Sequence, residues 1–337
     1  MTNYELDFRT EKMKPTRGKR GINIIVDTSN GKKLLKIYNQ KLDKSTIIHE
    51  HSILNHLKKL NFSSARVVAD KSGQSLTHHK NRYYALFDFV EGLYQCRDYV
   101  FLPHHYEKYI KLSGKMLGLL HEKLKAFVPE GYNPDGFRSK NGDRRRGLEW
   151  HLVKLDDCIE QNSKSSNAAR KNPQIRILRK SEELKNRLVR LDTFLKNANL
   201  SRGTIHGDYG LHNILFQKDG PPVIIDFEMA RMEWRLVDIA RTLYSFCGND
   251  VQSSLKKMQI FLEGYQTRWP LTEYEFNFFP HVWEYLNIKG CILAWYNYSC
   301  KTNNSDLKKA LSSFKRLEWM QANQNLFLDN LFKKGVH

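Results

Sequence analysis

The sequence predicts an α+β chain of two unequal lobes: a small one of short strands with a single helix, and a larger, mainly helical one. Three observations carry this. Before Gly92, short β-branched runs alternate with turn residues and one helical pattern. After Gly92, the hydrophobic period lengthens to that of amphipathic helices. A hydrophobic fraction of 40% is enough for a core and too high for general disorder. The lobes are expected at 1–91 and 92–337, with a hinge at Phe89–Gly92.

In the small lobe, INIIVDT at 22–28 and KLLKIY at 33–38 read as strands, and SNG at 29–31 as the turn of a hairpin. Residues 43–60 place Ile47, Ile48, His51, Leu54 and Leu57 on one helical face, with Asp43 or Ser45 to cap it. SARVVAD at 64–70 and RYYALFDFVEG at 82–92 read as two further strands. In the large lobe, residues 105–127 form a long amphipathic helix pattern. A loop rich in Pro, Gly and charge follows to residue 147, and 148–198 is helical with a break at 162–173. Residues 232–337 read as helices with aromatic faces, and no internal repeat is visible.

The formal charge of +19 sets up a field that attracts anions. The basic residues are spread along the chain. The densest patch, RSKNGDRRRG at 138–147, lacks the interleaved aromatics of a single-strand binder, so no nucleic-acid partner is expected. Cys96, Cys158, Cys247, Cys291 and Cys300 are scattered and show no CxxC spacing, which reads as reduced thiols and not a zinc site. The charged opening, MTNYELDFRTEKMKPTRGKRG, has no apolar stretch of the signal-peptide kind, and no run of about 18 apolar residues occurs to span a membrane. A cytoplasmic protein is expected.

Two stretches concentrate polar groups between apolar runs. TIHGDYGLHNILF at 204–216 carries His206, Asp208 and Asn213, and VIIDFEMAR at 223–231 carries Asp226 and Glu228. Phosphoryl transfer from ATP needs a carboxylate to orient the attacking hydroxyl, oxygen ligands for Mg2+ and a cation on the other phosphates. Asp208 suits the first task. Asn213 and Asp226 suit the second, because Mg2+ prefers hard oxygen ligands. Glu228 joins them as a metal candidate, on the same face as Asp226 if that segment is extended.

The ungapped His206-x-Asp208-x4-Asn213 pattern, followed by Asp226-Phe-Glu228, resembles the catalytic loop and metal motif of the aminoglycoside phosphotransferase and choline kinase superfamily. The resemblance extends through LVDIARTL at 236–243, where Asp238 fits a recurrent Asp. It implies a bilobal protein-kinase-like fold with a small antiparallel-sheet N-lobe and a mainly helical C-lobe. It also implies an ATP- and Mg2+-dependent phosphotransferase acting on a hydroxyl of a small molecule: a sugar, a sugar derivative or an amino alcohol. On the nucleotide side it implies Lys36 on the phosphates with Glu50 holding it, Gly18 and Gly21 in a phosphate-covering loop, and adenine read at Asp88 and Val90 beside Phe87 or Phe89. Lys32 and Lys33 are left as surface charges near the turn. His206 and Asp238 are implied supports of the catalytic loop. Trp234, Trp283, Tyr285, Trp295 and Tyr296 are expected toward the acceptor cleft. A positive chain suits a neutral or anionic acceptor better than a polycation. The loop EGYNPDGFRSKNGDRRRG is similar to that of the bacterial spore-coat protein S branch, which leaves as one alternative a spore-coat or other assembly protein with little or no turnover and protein partners; a protein kinase using the same catalytic residues is a second.

Overall fold

The β-branched hairpin read from residues 22–38 forms, and it is the middle of a larger sheet. In the computed structural model the described residues are 8–18, 21–40, 42–91, 94–95, 106–131, 147–163, 172–217, 220–301 and 304–332. Strand β1 (Phe8–Gly18) pairs antiparallel with β2 (Gly21–Thr28), which pairs with β3 (Gly31–Tyr38). Helix α1 (Lys44–Lys59) follows, then β4 (Val67–Val68), β5 (Thr77–His79) and β6 (Arg82–Asp88). The sheet runs in the order β1-β2-β3-β6-β4, with β5 also paired to β6. The sequence reading left out β1 and β5. Their charged and polar residues carry no β-branched run, and their strand conformation comes from the pairing partner. The 64–70 strand shortens to β4, and β6 ends at Asp88, short of Gly92, which lies outside the described residues.

Helix α1 buries Ile47, Ile53, Leu54 and Leu57, as its periodicity requires, and also His49, Glu50 and His51. Asp43 stands at its N-cap but makes no side-chain cap hydrogen bond, and the capping expectation fails for Ser45 too, which is helical. A second sheet joins β7 (Tyr94–Gln95) to β9 (Ile214–Phe216) and β10 (Val223–Ile224). A two-stranded ribbon pairs β8 (Arg202–Ile205) with β11 (Arg231–Trp234), so the chain just past residue 230 is a strand before it is helical.

The helical lobe comprises α2 (Tyr106–Leu124), α3 (Leu148–Ser163), α4 (Asn172–Arg179), α5 (Ser181–Lys196), α6 (Leu236–Leu243), α7 (Val251–Gln266), α8 (Glu273–Lys301) and α9 (Asn304–Phe332). Glycines set how closely α2 and α7 approach. A Cβ on Gly114 would lie 1.9 Å from the Phe261 carbonyl oxygen, and one on Gly264 would lie 2.0 Å from that of Lys111. The core centres on α8 and α9, where Phe279, Trp283, Trp295 and Phe327 are fully buried. Trp283 and Trp295 are therefore core residues and do not line the cleft as expected; Trp234 and Tyr285 are 8% exposed. Among the described residues no helix is long and apolar enough to cross a membrane. The described cysteines, Cys158, Cys247, Cys291 and Cys300, are free thiols, and Cys96 lies outside the described residues.

Candidate active site

The ribbon and the second sheet hold the loop that runs from His206 to Asn213. His206 is fully buried. Its Nε2 lies 2.9 Å from the Ile225 carbonyl oxygen and must donate, while its Nδ1 accepts the Asp208 N–H at 3.3 Å. Only the neutral ring does both, and burial pushes the imidazole below its usual pKa. The buried Asp238 carboxylate, in the first turn of α6, accepts the His206 N–H at 2.7 Å and the Gly207 N–H at 2.8 Å. His121 Nε2 adds a third bond at 3.2 Å. Burial alone would raise the Asp238 pKa, but His121, His206 and Arg231 hold it below the usual carboxylate range.

Behind His121 the donors run in one direction. Arg235, which can only donate, reaches the Tyr265 hydroxyl at 3.3 Å, so the phenol proton is left for His121 Nδ1 at 2.9 Å. Arg235 is itself paired with buried Glu275, its Nε donating to Oε1 at 2.8 Å. Gly207 has φ +78°, and a Cβ there would lie 2.1 Å from the Met229 carbonyl oxygen. The position admits only glycine on both counts.

Asp208 projects from this braced loop with its side chain 40% exposed. The Asn213 Nδ2 donates to the Asp208 carbonyl at 3.0 Å, which leaves the amide oxygen as the end of Asn213 available to a cation. The Ile225 N–H donates to the Asn213 carbonyl at 3.0 Å, bringing Asp226 alongside. Asp226 is not on an extended strand. Its φ of +65° is left-handed, and Phe227–Met229 form a 3-10 turn, so the expectation that Asp226 and Glu228 share a strand face is corrected. Asx residues tolerate this conformation better than most, and it turns the chain away from β10 as soon as the strand ends.

Across the cleft, Lys36 on β3 meets Glu50 on α1 at 3.1 Å and Glu228 at 3.3 Å. Burial opposes its charge, but Glu50, Glu228 and Asp226 outweigh that and raise its pKa. Burial works against Glu50 as well, yet Lys36, His51 and the Tyr38 hydroxyl keep its carboxyl below the usual range. Tyr38, two residues after Lys36 on the same face of β3, lies 3.2 Å from Glu50 Oε2 and 3.0 Å from His51 Nε2. His51 continues to the Ser75 hydroxyl at 2.8 Å, and burial lowers its pKa to about 4.

Gly18 and Gly21 face each other at the tip of the β1–β2 hairpin; Lys19 and Arg20 lie outside the described residues. A Cβ on Gly21 would lie 2.3 Å from the Ile37 carbonyl oxygen, so close strand packing demands this glycine. At the end of β6 the Asp88 N–H is taken by the Arg66 carbonyl at 2.9 Å, and the Asp88 carboxylate pairs with Lys33 at 2.6 Å. Lys33 is thus a partly buried partner of Asp88, not a free surface charge. The Val90 N–H bonds to no described backbone group. Phe87 is 5% exposed, and its ring lies 5.8 Å from the Lys36 ammonium.

Among the described residues no three His, Cys, Asp or Glu side chains converge into a protein-only metal cage. The acidic groups nevertheless suit a divalent cation shared with phosphate oxygens. Burial raises the Asp226 pKa to about 6, and the charges of Glu228, Glu50 and Asp208 add to it against Lys36 alone. A site with surplus negative charge and hard oxygen donors is one that a divalent cation relieves.

This arrangement meets its counterpart in known proteins. The model of the phosphotransferase enzyme family, APH, matches residues 19–271. The chain belongs to this family. It is an ATP-dependent phosphotransferase with an alcohol group as acceptor, and it has the protein-kinase-like fold of the aminoglycoside phosphotransferase and choline kinase superfamily. It is similar to a homoserine kinase of Zymomonas mobilis, 24% identical over 77% of this chain and 72% of that one. Among solved structures it is similar to the amicoumacin kinase hAmiN in complex with AMP-PNP, Ca2+ and Ami. The TM-score is 0.66 at 15% identity, over 93% of this chain and 90% of that one. A microcompartment-associated aminopropanol kinase gives a TM-score of 0.66 at 16% identity, covering 97% of each chain. These relatives lend no support to the spore-coat resemblance.

The sequence reading missed several residues of this phosphotransferase. Tyr38 and His121 brace named site residues. Arg241 lies 3.5 Å from Asp208 Oδ1 and His212 lies 4.0 Å from Oδ2. Lys289 lies within electrostatic range of Arg241 and Arg231. The spacing of Tyr38 from Lys36 was a signal that could have found it. His121 and Lys289 carry no local pattern, since each is one polar residue in a helix.

Proposed function

We propose that this chain transfers the γ-phosphoryl group of ATP to a hydroxyl of a small molecule, with Asp208 as the general base. One observation supports this reading above the others. The only well-exposed carboxylate on the braced His206–Asn213 loop is Asp208, and it stands where Asn213, Asp226 and the Lys36–Glu50 pair converge. Asp208 accepts a hydrogen bond from the acceptor hydroxyl, aligns the oxygen for attack and takes its proton as the bond to phosphorus forms. Lys36 holds phosphate oxygens, and Glu50 fixes the ammonium so that Glu228 can release it when phosphate arrives. Asn213 and Asp226, with Glu228 beside them, would hold Mg2+, which when bound offsets the charge on the phosphates. His206 and Asp238 act through the loop, keeping Asp208 in position.

The glycines at 18 and 21 would cover the phosphates, and the hinge at Asp88 and Val90 would read adenine. With its N–H engaged by Arg66, Asp88 would offer its carbonyl, and Val90 its N–H. We place the lobes at 1–91 and 92–337 and the protein in the cytoplasm. Relatives named homoserine kinase and aminopropanol kinase support a small alcohol as acceptor over a protein.

The test is an ATP-consumption screen over sugars, amino alcohols and hydroxy acids, with nucleotide affinity measured on the same preparation. Asp208→Asn is expected to lower turnover by about 100-fold or more while nucleotide affinity stays within about twofold. Undiminished turnover would remove Asp208 from the mechanism.

A further inference from the structure

Two cations in this part of the helical lobe, Arg241 beside Asp208 and Lys289 within the field of Arg241, are incompletely partnered. Arg241 approaches Asp208 from α6, yet its Nε is buried without a hydrogen-bond partner among the described residues. Among the described residues, Lys289, on α8, which packs against α6, hydrogen-bonds only to the Tyr285 hydroxyl, at 3.2 Å, with its ammonium 4.6 Å from the centre of the same ring. No carboxylate of a described residue lies within 4.0 Å of its ammonium. Neighbouring acids are engaged elsewhere: Asp192 accepts from Tyr285 at 2.7 Å and pairs with Lys196 at 2.7 Å, and Glu233 faces Arg231 at 3.8 Å. Burial and the charges of Arg231 and Arg241 depress the Lys289 pKa to about 8, against the opposing pull of Glu233 and Asp192. A half-buried ammonium with a neutral phenol as its hydrogen-bond partner, within the electrostatic field of a guanidinium with an orphaned donor on the helix packed against its own, lacks an anion.

We propose that Lys289 and Arg241 form an anion subsite of the acceptor pocket, so that the acceptor is a small hydroxylated acid. Its acidic group, a carboxylate or a phosphate, is held by these two cations while its hydroxyl faces Asp208. The inference rests on the assignment of Asp208 as the base, because that assignment defines which end of the acceptor reacts. Arg241 serves both ends: it leaves the Asp208 carboxylate as the substrate's acid replaces it, which frees the base to accept the hydroxyl proton. The net charge of the chain favours the same class of ligand.

The experiment compares acceptors that differ only in the acidic group: homoserine against aminopropanol, serine against ethanolamine, and glycerol phosphate against glycerol. Direct binding is measured by calorimetry, and phosphoryl transfer in parallel. At least one acid of a pair is expected to bind about tenfold or more tightly than its neutral partner. The first two pairs report a carboxylate and the third a phosphate. Lys289→Met is expected to abolish that preference while leaving the affinity for ATP unchanged. Lys289→Arg keeps the charge and is expected to retain most of the preference, and its melting curve controls for folding. Equal binding of acids and their neutral partners by the wild type, or a preference that survives Lys289→Met, would overturn the subsite. If acids bind preferentially but no acceptor is phosphorylated and Asp208→Asn changes nothing, the subsite stands and the proposed catalytic role fails.

Discussion

Replacing Asp238 by Asn tests whether a single buried carboxylate organises the catalytic loop. The native side chain accepts the His206 and Gly207 N–H groups at 2.7 and 2.8 Å and the His121 ring at 3.2 Å, with no exposure to solvent. Asparagine keeps the volume but has one acceptor oxygen and an NH2 group that must face another donor. At least one buried N–H then goes unsatisfied, a cost of about 1–3 kcal/mol, and the remaining bonds lose their charge assistance. The expected sum is about 3–5 kcal/mol, the range for removing one partner of a buried charged network. Urea unfolding at neutral pH, followed by circular dichroism with the slope held common, measures it. Turnover should fall as well, because Asp208 follows Gly207 directly, while the affinity for nucleotide changes little. The pH dependence gives a second check. The folded pKa of Asp238 lies below that of the unfolded chain, so its contribution is complete above the unfolded value of about 3.9 and is lost as pH falls toward the folded one. The stability gap between wild type and variant should therefore narrow in acid. A loss under about 1 kcal/mol at neutral pH, or a gap that stays constant into acid, would refute the reasoning.

Three further outcomes are expected. Gly207→Ala should destabilise by about 2–4 kcal/mol in urea unfolding, since it combines a left-handed backbone with a contact to the Met229 carbonyl, and a neutral result would mean that the loop adopts another path. In a double-mutant cycle, Lys36→Met and Glu50→Gln should couple by about 1–3 kcal/mol in kcat/KM for ATP, and full additivity would show that their 3.1 Å contact has no functional consequence. The affinity for an acidic acceptor should fall by about tenfold between pH 7 and pH 9. Lys289 loses its proton as pH rises through about 8, in a setting shared with Glu233, Asp192, Arg231, Arg241 and the Tyr285 hydroxyl, and a flat calorimetric profile would contradict this.

The sequence alone determined the parts of this protein that depend on local spacing. The hairpin at 22–38 and the α1 helix follow from side-chain period and turn residues, which act over a few neighbours. The order His206, Asp208, Asn213, Asp226 was equally legible, because His206-x-Asp208-x4-Asn213 is ungapped in this sequence and the Asp226-Phe-Glu228 run follows it closely. The family resemblance, rather than local spacing, implied Glu50 as the partner of Lys36, and the two meet at 3.1 Å.

Only the tertiary structure decided what depends on distant chain segments. β1 is a strand because β2 offers it an open edge, and no property of FRTEKMKPTRG announces that. Asp226 leaves the extended conformation because the chain must turn at the end of β10, so the same-face argument for Glu228 failed, and Glu228 instead meets Lys36 from the other lobe. Trp283 and Trp295 lie in the core because the face of α8 that carries them packs inward; composition cannot say which face that is. His121, Arg241 and Lys289 sit in helices far apart in sequence, and the packing of those helices brings His121 onto Asp238, Arg241 onto Asp208 and Lys289 within the field of Arg241. A polar residue in a helix has the same local pattern whether it faces water or a buried charge. Its role is fixed by the electrostatics of what lies opposite, and that is set when the helices pack.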